Sequence, residues 1–324
     1  LNKKEFKYTE KNTKGAKMKA AIINDYGQEV QIEEVSKPEL AEDSVMIEVH
    51  AASVNPIDNI VRAGYMKDMM PITFPYIMGY DVSGVVTEVG NKVTKFKKGD
   101  EVYARPNQED AGSLSEYNVV KEDELALKPE KLNFEEAAAM PLTGLTALEA
   151  LTVKGSLEKG QKVLIHAGSG GVGTHAIQLA KDIGATVATT TSDSNVQMVK
   201  NLGADVVINY KTQKFEEELS DYDLVLDTMG GEIMKRSFEV LKEGGSMVSI
   251  KGQDTEDLAK KYNVTFESFF MWPSGEMLSH LTELVNDDKL KPTIDRSYSL
   301  EEVQKAYDYL AKGHAKGKVV VKIK

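Results

Sequence analysis

The sequence has 324 residues, enough for two domains, with 41% hydrophobic residues, 28% charged residues and a formal net charge of −11. That composition excludes wholesale disorder, and the acidic balance argues against nucleic acid or an anionic membrane as a partner. Cysteine is absent, which removes disulfides, thiol catalysis and every cysteine-based metal site.

The five histidines (His50, His166, His175, His280 and His314) form no pair at metal-ligand spacing, so no metal site is expected. No apolar run approaches the roughly 18–20 residues of a membrane helix, and no signal-peptide pattern opens the chain. A cytoplasmic location is expected on these grounds. Residues 1–17 are charged and aperiodic and read as an extension or remnant, with Met18 opening the first strand.

Residues 18–137 read as a mostly β domain. β-Branched residues alternate with polar ones over 19–23, 44–52 and 82–89, and Gly90-Asn91 and Gly99-Asp100 mark turns. After Pro141 the pattern changes to alternating strand and helix. Strands are expected at 163–167, 186–191, 206–209, 224–227 and 246–250, with helices at 172–183, 195–202 and 233–241. That alternation implies a doubly wound parallel sheet, an α/β Rossmann layer. Helices at 275–288 and 300–312 precede a final strand at 318–323 whose alternation matches the first domain. The expected division is therefore discontinuous: 18–137 with 276–324 as one domain, and 138–275 as the other.

The most informative stretch is Gly168-Ser169-Gly170-Gly171-Val172-Gly173, which lies between an expected strand and an expected helix. Gly168 suits a tight turn, Gly170 or Gly171 admits a pyrophosphate, and Gly173 lets the helix pack on the sheet. The amides and dipole of the helix start would then face the pyrophosphate. Cofactor choice rests on the end of the next strand, where Ser192 stands instead of an acidic residue. Ser192 leaves room for a 2′-phosphate, to which Lys200 and Tyr210 can add a charge and a hydroxyl. NADPH is therefore expected, while the adjacent Asp193 keeps NAD(H) open.

The chain also resembles a known family through Val54-Asn-Pro-Ile-Asp58, Arg62-Ala-Gly64-Tyr65, Gly79-Tyr-Asp-Val-Ser-Gly84, Gly99-Asp-Glu-Val102, Pro141-Leu-Thr-Gly-Leu-Thr-Ala147, the glycine loop, Leu202-Gly-Ala-Asp205 and Gly317-Lys-Val-Val320. In that order and spacing these motifs resemble the medium-chain dehydrogenase/reductases of the zinc-free quinone oxidoreductase type. The resemblance implies a GroES-like β domain beside a Rossmann domain, an active site in the cleft between them, and a homodimer joined through the Rossmann sheet edges. It places Asn55 and Tyr80 where zinc-dependent members carry a cysteine and a histidine. Related enone reductases carry a lysine two residues after the aspartate of the Asn-Pro-x-Asp motif, and this chain has Ile60 there.

Without a Lewis acid, a conjugated carbonyl or quinone is an easier hydride acceptor than a simple alcohol is a donor, because the developing charge spreads onto an oxygen that a donor can hold. The expected activity is zinc-free, NADPH-dependent reduction of a quinone or α,β-unsaturated carbonyl. The alternative is a non-catalytic NADPH-binding sensor or scaffold protein. Asn55, Tyr65 and Tyr80 are the expected catalytic residues, with Tyr80 or Tyr65 holding the oxyanion. Arg62 is expected to pair with Asp58 or Asp81 or to touch substrate. Thr143 at the domain hinge, Lys251 and Gly252 after a Rossmann strand, and Phe270 in a possible apolar wall behind the nicotinamide complete the expected cofactor set.

Overall fold

The structure is a computed structural model that describes residues 16–107, 112–252 and 255–324. The expected extension over 1–17 lies outside these residues except at its end, where Lys17 already pairs with Ser36.

The N-terminal part holds β1 (Lys17–Ile23), β2 (Gln31–Ser36), β3 (Ser44–Val54), α1 (Pro56–Arg62), β4 (Tyr76–Ile77), β5 (Asp81–Val89), β6 (Glu101–Ala104), β7 (Tyr117–Lys121) and β8 (Leu125–Leu127). Two short helices follow, α2 (Phe134–Ala138) and α3 (Pro141–Leu148), and α3 runs on into a π-helical turn, Glu149–Lys154. The Rossmann part then alternates β9 (Lys162–Ile165), α4 (Gly171–Ile183), β10 (Thr186–Thr191), α5 (Val196–Asn201), β11 (Val206–Asn209), α6 (Phe215–Glu218), β12 (Tyr222–Asp227), α7 (Gly231–Ser237), β13 (Leu241–Ser249), α8 (Glu256–Tyr262) and β14 (Thr265–Ser268). The chain ends with α9 (Gly275–Asn286), β15 (Ile294–Ser299), α10 (Val303–Ala311) and β16 (Lys318–Lys322).

The six strands from β9 to β14 form one parallel sheet in the order β11-β10-β9-β12-β13-β14. Counted from β9 this is 3-2-1-4-5-6, the doubly wound dinucleotide-binding order, so the expected α/β class holds. Its strands are near-continuous apolar runs because helices cover both faces: Val163, Leu164 and Ile165 are all fully buried. A second sheet runs β15-β16-β3-β5-β6-β8, with β7 also on β3, and a third is β2-β1-β4. The final strand does return: Val319, Val320 and Val321 pair antiparallel with Val54, Ser53 and Ala52.

Two details differ from the sequence expectation. The helix expected over 233–241 is α7 plus a short 3₁₀ turn, and Leu241 already belongs to β13, because Phe238 and Val240 turn inward beneath the sheet. The helix α9 buries Leu278, Leu281, Leu284 and Val285 in the same cluster as β9 and α4. We therefore propose a domain boundary after Leu290, which closes that cluster, in place of one at 275/276.

Candidate active site

The glycine loop connects β9 to α4. The left-handed residue of the turn is Ala167 (φ 52°), not Gly168. Gly168 is required by packing instead, since a Cβ there would sit 2.0 Å from Thr189 Oγ1. A Cβ on Gly173 would lie 2.3 Å from the Ala167 carbonyl oxygen and 2.7 Å from Gly168 Cα, so α4 can start against the turn only with glycine. Gly170 is different: its Cβ would meet only the Ala167 carbonyl oxygen, at 3.3 Å. Gly170 caps α4 without a side chain, and the first intrahelical bond is Thr174 N to Gly170 O at 3.0 Å. The amides of Gly171, Val172 and Gly173 therefore have no acceptor within the helix and suit an anion.

Beside the loop, Ser169 Oγ accepts from Thr191 Oγ1 (3.0 Å) and from Asn195 Nδ2 (3.2 Å), and Asn195 Nδ2 also reaches Ser192 Oγ at 3.2 Å. Tyr210 is fixed next to this group by its amide, which donates to Thr191 O at 3.2 Å, while its side chain is 57% exposed. Ser192 and Tyr210 thus flank the carboxyl end of β10. Lys200 lies in the last turn of α5 and is exposed, no side-chain hydrogen bond is seen for it among the described residues, and the structure does not join it to the other two. Asn195 was not among the expected residues. Its position three residues after Ser192 was a signal for it.

The two halves of the molecule are joined at the loop. Gly317 N donates to Ser169 O at 2.8 Å, and Gly170 and Gly317 form a parallel bridge. The next residue, Lys318, sends its ammonium into a fully buried polar cluster. It binds Asp81 Oδ2 at 3.0 Å, Val54 O at 3.4 Å and Asn55 Oδ1. Asp81 Oδ2 also accepts from Ser53 Oγ (2.7 Å) and Asn55 Nδ2 (2.8 Å), and Asp81 Oδ1 accepts from Leu142 N (2.7 Å). Lys318 lies alongside Gly171, since a Cβ on Gly171 would be 3.2 Å from Lys318 Cδ and 3.0 Å from Thr143 Cγ2. Thr143 itself is 4% exposed and donates to Ala139 O at 3.4 Å, so it braces the start of α4.

The structure places the expected Asn55 in this cluster. It is fully buried, and both ends of its amide are engaged, by Asp81 and by Lys318. Lys318 was missed, although in the sequence it stood as a charge directly before the apolar run Val319-Val320-Val321.

The expected tyrosines are not brought together. Tyr65 follows Gly64 (φ 79°) and is 84% exposed. Tyr80 is 2% exposed, its hydroxyl 3.2 Å from that of Tyr76, and the Arg105 guanidinium lies 5.3 Å from its ring centre. Burial and the Tyr76 hydroxyl push Tyr80 well above the ordinary tyrosine range, and burial pushes Tyr76 up to about 12. Both stay neutral and can only donate or accept hydrogen bonds. Arg62 Nη1 binds Gln28 O and Gln304 Oε1, each at 3.3 Å, and among the described residues it pairs with neither Asp58 nor Asp81.

Asp58 is fully buried; its Oδ2 accepts from Asn55 N (2.8 Å) and Tyr307 OH (3.3 Å), and its Oδ1 has no partner among the described residues. Desolvation raises it to about 7. The folded state therefore holds a proton that the unfolded chain has lost between roughly pH 4 and pH 7, and stability falls as pH rises through that window. Asp58→Asn keeps an acceptor and removes the charge. Relative to the parent it should gain on the order of 2 kcal/mol between pH 5 and pH 8. Denaturant titrations at the two pH values check this, and parallel pH dependences would refute it.

At the carboxyl edge of the parallel sheet, Asp227 accepts from Met229 N (3.0 Å), Gly230 N (2.9 Å) and Ser249 Oγ (2.7 Å) and shapes the turn after β12. Lys251 N donates to Ser249 Oγ (3.1 Å) and Gly252 N to Ser268 Oγ (3.0 Å), so both backbones are held at this edge while the Lys251 side chain is exposed. Phe270 is 38% exposed, edge-on to Trp272. His166 and His175 are fully buried and pushed down by desolvation to about 4. His166 bridges Thr190 and Ser237, and Thr190 Oγ1 in turn holds the Ala167 amide, so this histidine supports the loop from beneath.

Comparison with known proteins agrees with this architecture. Residues 41–130 match the alcohol dehydrogenase GroES-like domain and residues 202–321 the zinc-binding dehydrogenase domain. A 2-methylene-furan-3-one reductase from Solanum lycopersicum is 40% identical over 320 residues, spanning 94% of this chain and 79% of that protein. The chloroplastic NADPH-dependent alkenal/one oxidoreductase of Arabidopsis thaliana is 38% identical over 94% of this chain and 79% of its own length. Its location lends no support to a cytoplasmic one here. The solved quinone oxidoreductase from Coxiella burnetii superposes with a TM-score of 0.89 at 36% identity, covering 95% of this chain and all of that one. Among the described residues, no helix is long and apolar enough to cross a membrane. The parallel sheet, the glycine loop and the β domain that closes on it through Lys318 make this chain a member of the medium-chain dehydrogenase/reductase family, of the quinone oxidoreductase type.

Proposed function

We propose that the chain is an NADPH-dependent reductase that adds hydride to an α,β-unsaturated carbonyl or a quinone without zinc. The observation that carries the reading is the junction itself. A dinucleotide loop with free helix amides is bonded directly to a dehydrated polar floor whose residues at the zinc-ligand positions are otherwise engaged. Asn55 is spent on Asp81 and Lys318, and the Tyr80 hydroxyl faces Tyr76. Neither is a good metal ligand in that state. The names of the relatives, one acting on alkenals and one on a methylene-furanone, support an activated double bond as the acceptor.

The residues fit the cofactor. The amides at 171–173 would hold the pyrophosphate, and Ser192, Asn195 and Tyr210 would meet the adenine ribose. The polar, uncharged character of that last group favours a 2′-phosphate over the bare diol. Lys251, Gly252 and Phe270 sit at the carboxyl edge, where the nicotinamide half would lie. The bound nicotinamide supplies the hydride. The protein's part is to exclude water, orient the acceptor and hold the oxygen on which charge develops, with solvent giving the last proton. The exposed outer edge of β14 is the surface we propose for a homodimer.

The test is NADPH consumption with a 2-alkenal and with a naphthoquinone, alongside metal analysis of the purified protein. Turnover with substoichiometric zinc is expected. Tight NADPH binding with no turnover of either acceptor would sink the reading.

A further inference from the structure

Arg105 follows β6, and the pairing of Val82 with Ala104 places it across from Asp81. Its side chain is 3% exposed and stacks over Tyr80. Yet the guanidinium is nearly unused. Among the described residues its one hydrogen bond runs from Nη1 to the carbonyl of the adjacent Pro106, at 3.2 Å, and the buried Nε has no partner. No carboxylate lies within ion-pair distance of it among the described residues. The nearest acids act on it only at longer range. Asp81 is saturated by Ser53, Asn55, Leu142 and Lys318, and Glu124 Oε2 holds Asn107 N at 2.9 Å.

The contrast with the other buried cation is informative. Lys318 has an acceptor for each of its three protons, including a carboxylate. Among the described residues Arg105 leaves Nε without a partner and makes no hydrogen bond through Nη2. Burying an unpaired charge is expensive, and buried donors in proteins are almost always satisfied. A buried guanidinium with two unused donors, across the strand pair from the Asp81 of the polar floor, is suited to an oxygen that becomes negative during the reaction.

We propose that Arg105 is a catalytic residue that binds the carbonyl oxygen of the acceptor and stabilises the enolate or hydroquinone anion formed there. This rests on the reductase reading above. Hydride adds to the β-carbon, the carbon–carbon π pair shifts into a double bond between the α-carbon and the carbonyl carbon, the carbonyl π pair moves onto the oxygen, and Arg105 donates hydrogen bonds to that oxygen without giving up a proton. Solvent then protonates the α-carbon. NADPH is oxidised and the acceptor reduced by the same two electrons. Tyr80 supports the guanidinium from its ring face.

The test uses R105Q and R105K. With NADPH affinity and thermal stability close to the parent, R105Q should lose about 100-fold or more in kcat for a 2-alkenal, with a much smaller change in KM. R105K, which keeps the charge but not the fork, should lose about 10-fold. A second readout needs no turnover. With NADP⁺ present, 4-nitrophenol should bind the parent as its yellow phenolate at a pH where the free phenol is neutral, and R105Q should not stabilise that form. A folded R105Q or R105K with the parent's kcat, or R105Q that binds the phenolate equally well, overturns the assignment. A parent protein inactive on every enal and quinone would instead overturn the reductase reading, so the two failures are distinguishable.

Discussion

Replacing Lys318 with methionine should cost about 3–5 kcal/mol of folding stability, the penalty for stranding a buried carboxylate. The Lys318 side chain is 3% exposed and that of Asp81 is fully buried, so water cannot replace the lost partner. The remaining donors to Asp81 are neutral: Ser53, Asn55 and the Leu142 amide. Neutral donors leave the negative charge uncompensated. The double variant K318M/D81N removes both charges and should recover more than half of the loss, because replacing both members of such a pair is far less damaging than removing one. Chemical denaturation of the three variants checks this. A K318M protein within about 1 kcal/mol of the parent would show that the pair is not coupled as the structure implies.

The second large effect separates two glycines that a motif treats alike. Gly168→Ala should destabilise the protein by about 1–3 kcal/mol, because its Cβ lands 2.0 Å from Thr189 Oγ1 and the turn must shift. The added T189A substitution should restore part of that. Gly170→Ala should leave stability nearly unchanged, since its Cβ meets only one atom at 3.3 Å. It should nonetheless weaken NADPH binding about 100-fold or more, because the methyl group stands where the pyrophosphate approaches the helix amides. Calorimetric titration with NADPH and thermal melts of both variants distinguish packing from ligand approach. Equal effects of the two substitutions on both quantities would contradict the division.

The alternation of strand and helix after Pro141 was readable because parallel strands under two helical layers must be apolar and short. The glycine loop was readable for a related reason: a turn packed against a neighbouring strand excludes a Cβ. Boundaries were less legible where one segment serves two elements, as at 231–241, where the helix gives way to a 3₁₀ turn and Leu241 opens β13. The site was harder still. Asn55, Tyr65 and Tyr80 were singled out by the positions the family resemblance gives them, and the structure buries Asn55 and Tyr80 and leaves Tyr65 84% exposed. Lys318 acquires its meaning only from Asp81, 237 positions away in sequence. Arg105 carries no motif, and only its burial with an Nε that has no partner among the described residues singles it out. Pairings made by the closing of one domain on another leave no periodic trace in either segment.

The most direct measurement follows the hydride. Protein stripped of metal by chelation is mixed with NADPH carrying deuterium at the transferable position of the nicotinamide and with a 2-alkenal, and the product is analysed by mass spectrometry and NMR. The account predicts a saturated aldehyde with deuterium on the β-carbon, formed in step with NADPH oxidation and unaffected by the chelator. Deuterium at the carbonyl carbon, or activity that appears only when zinc is restored, would contradict it.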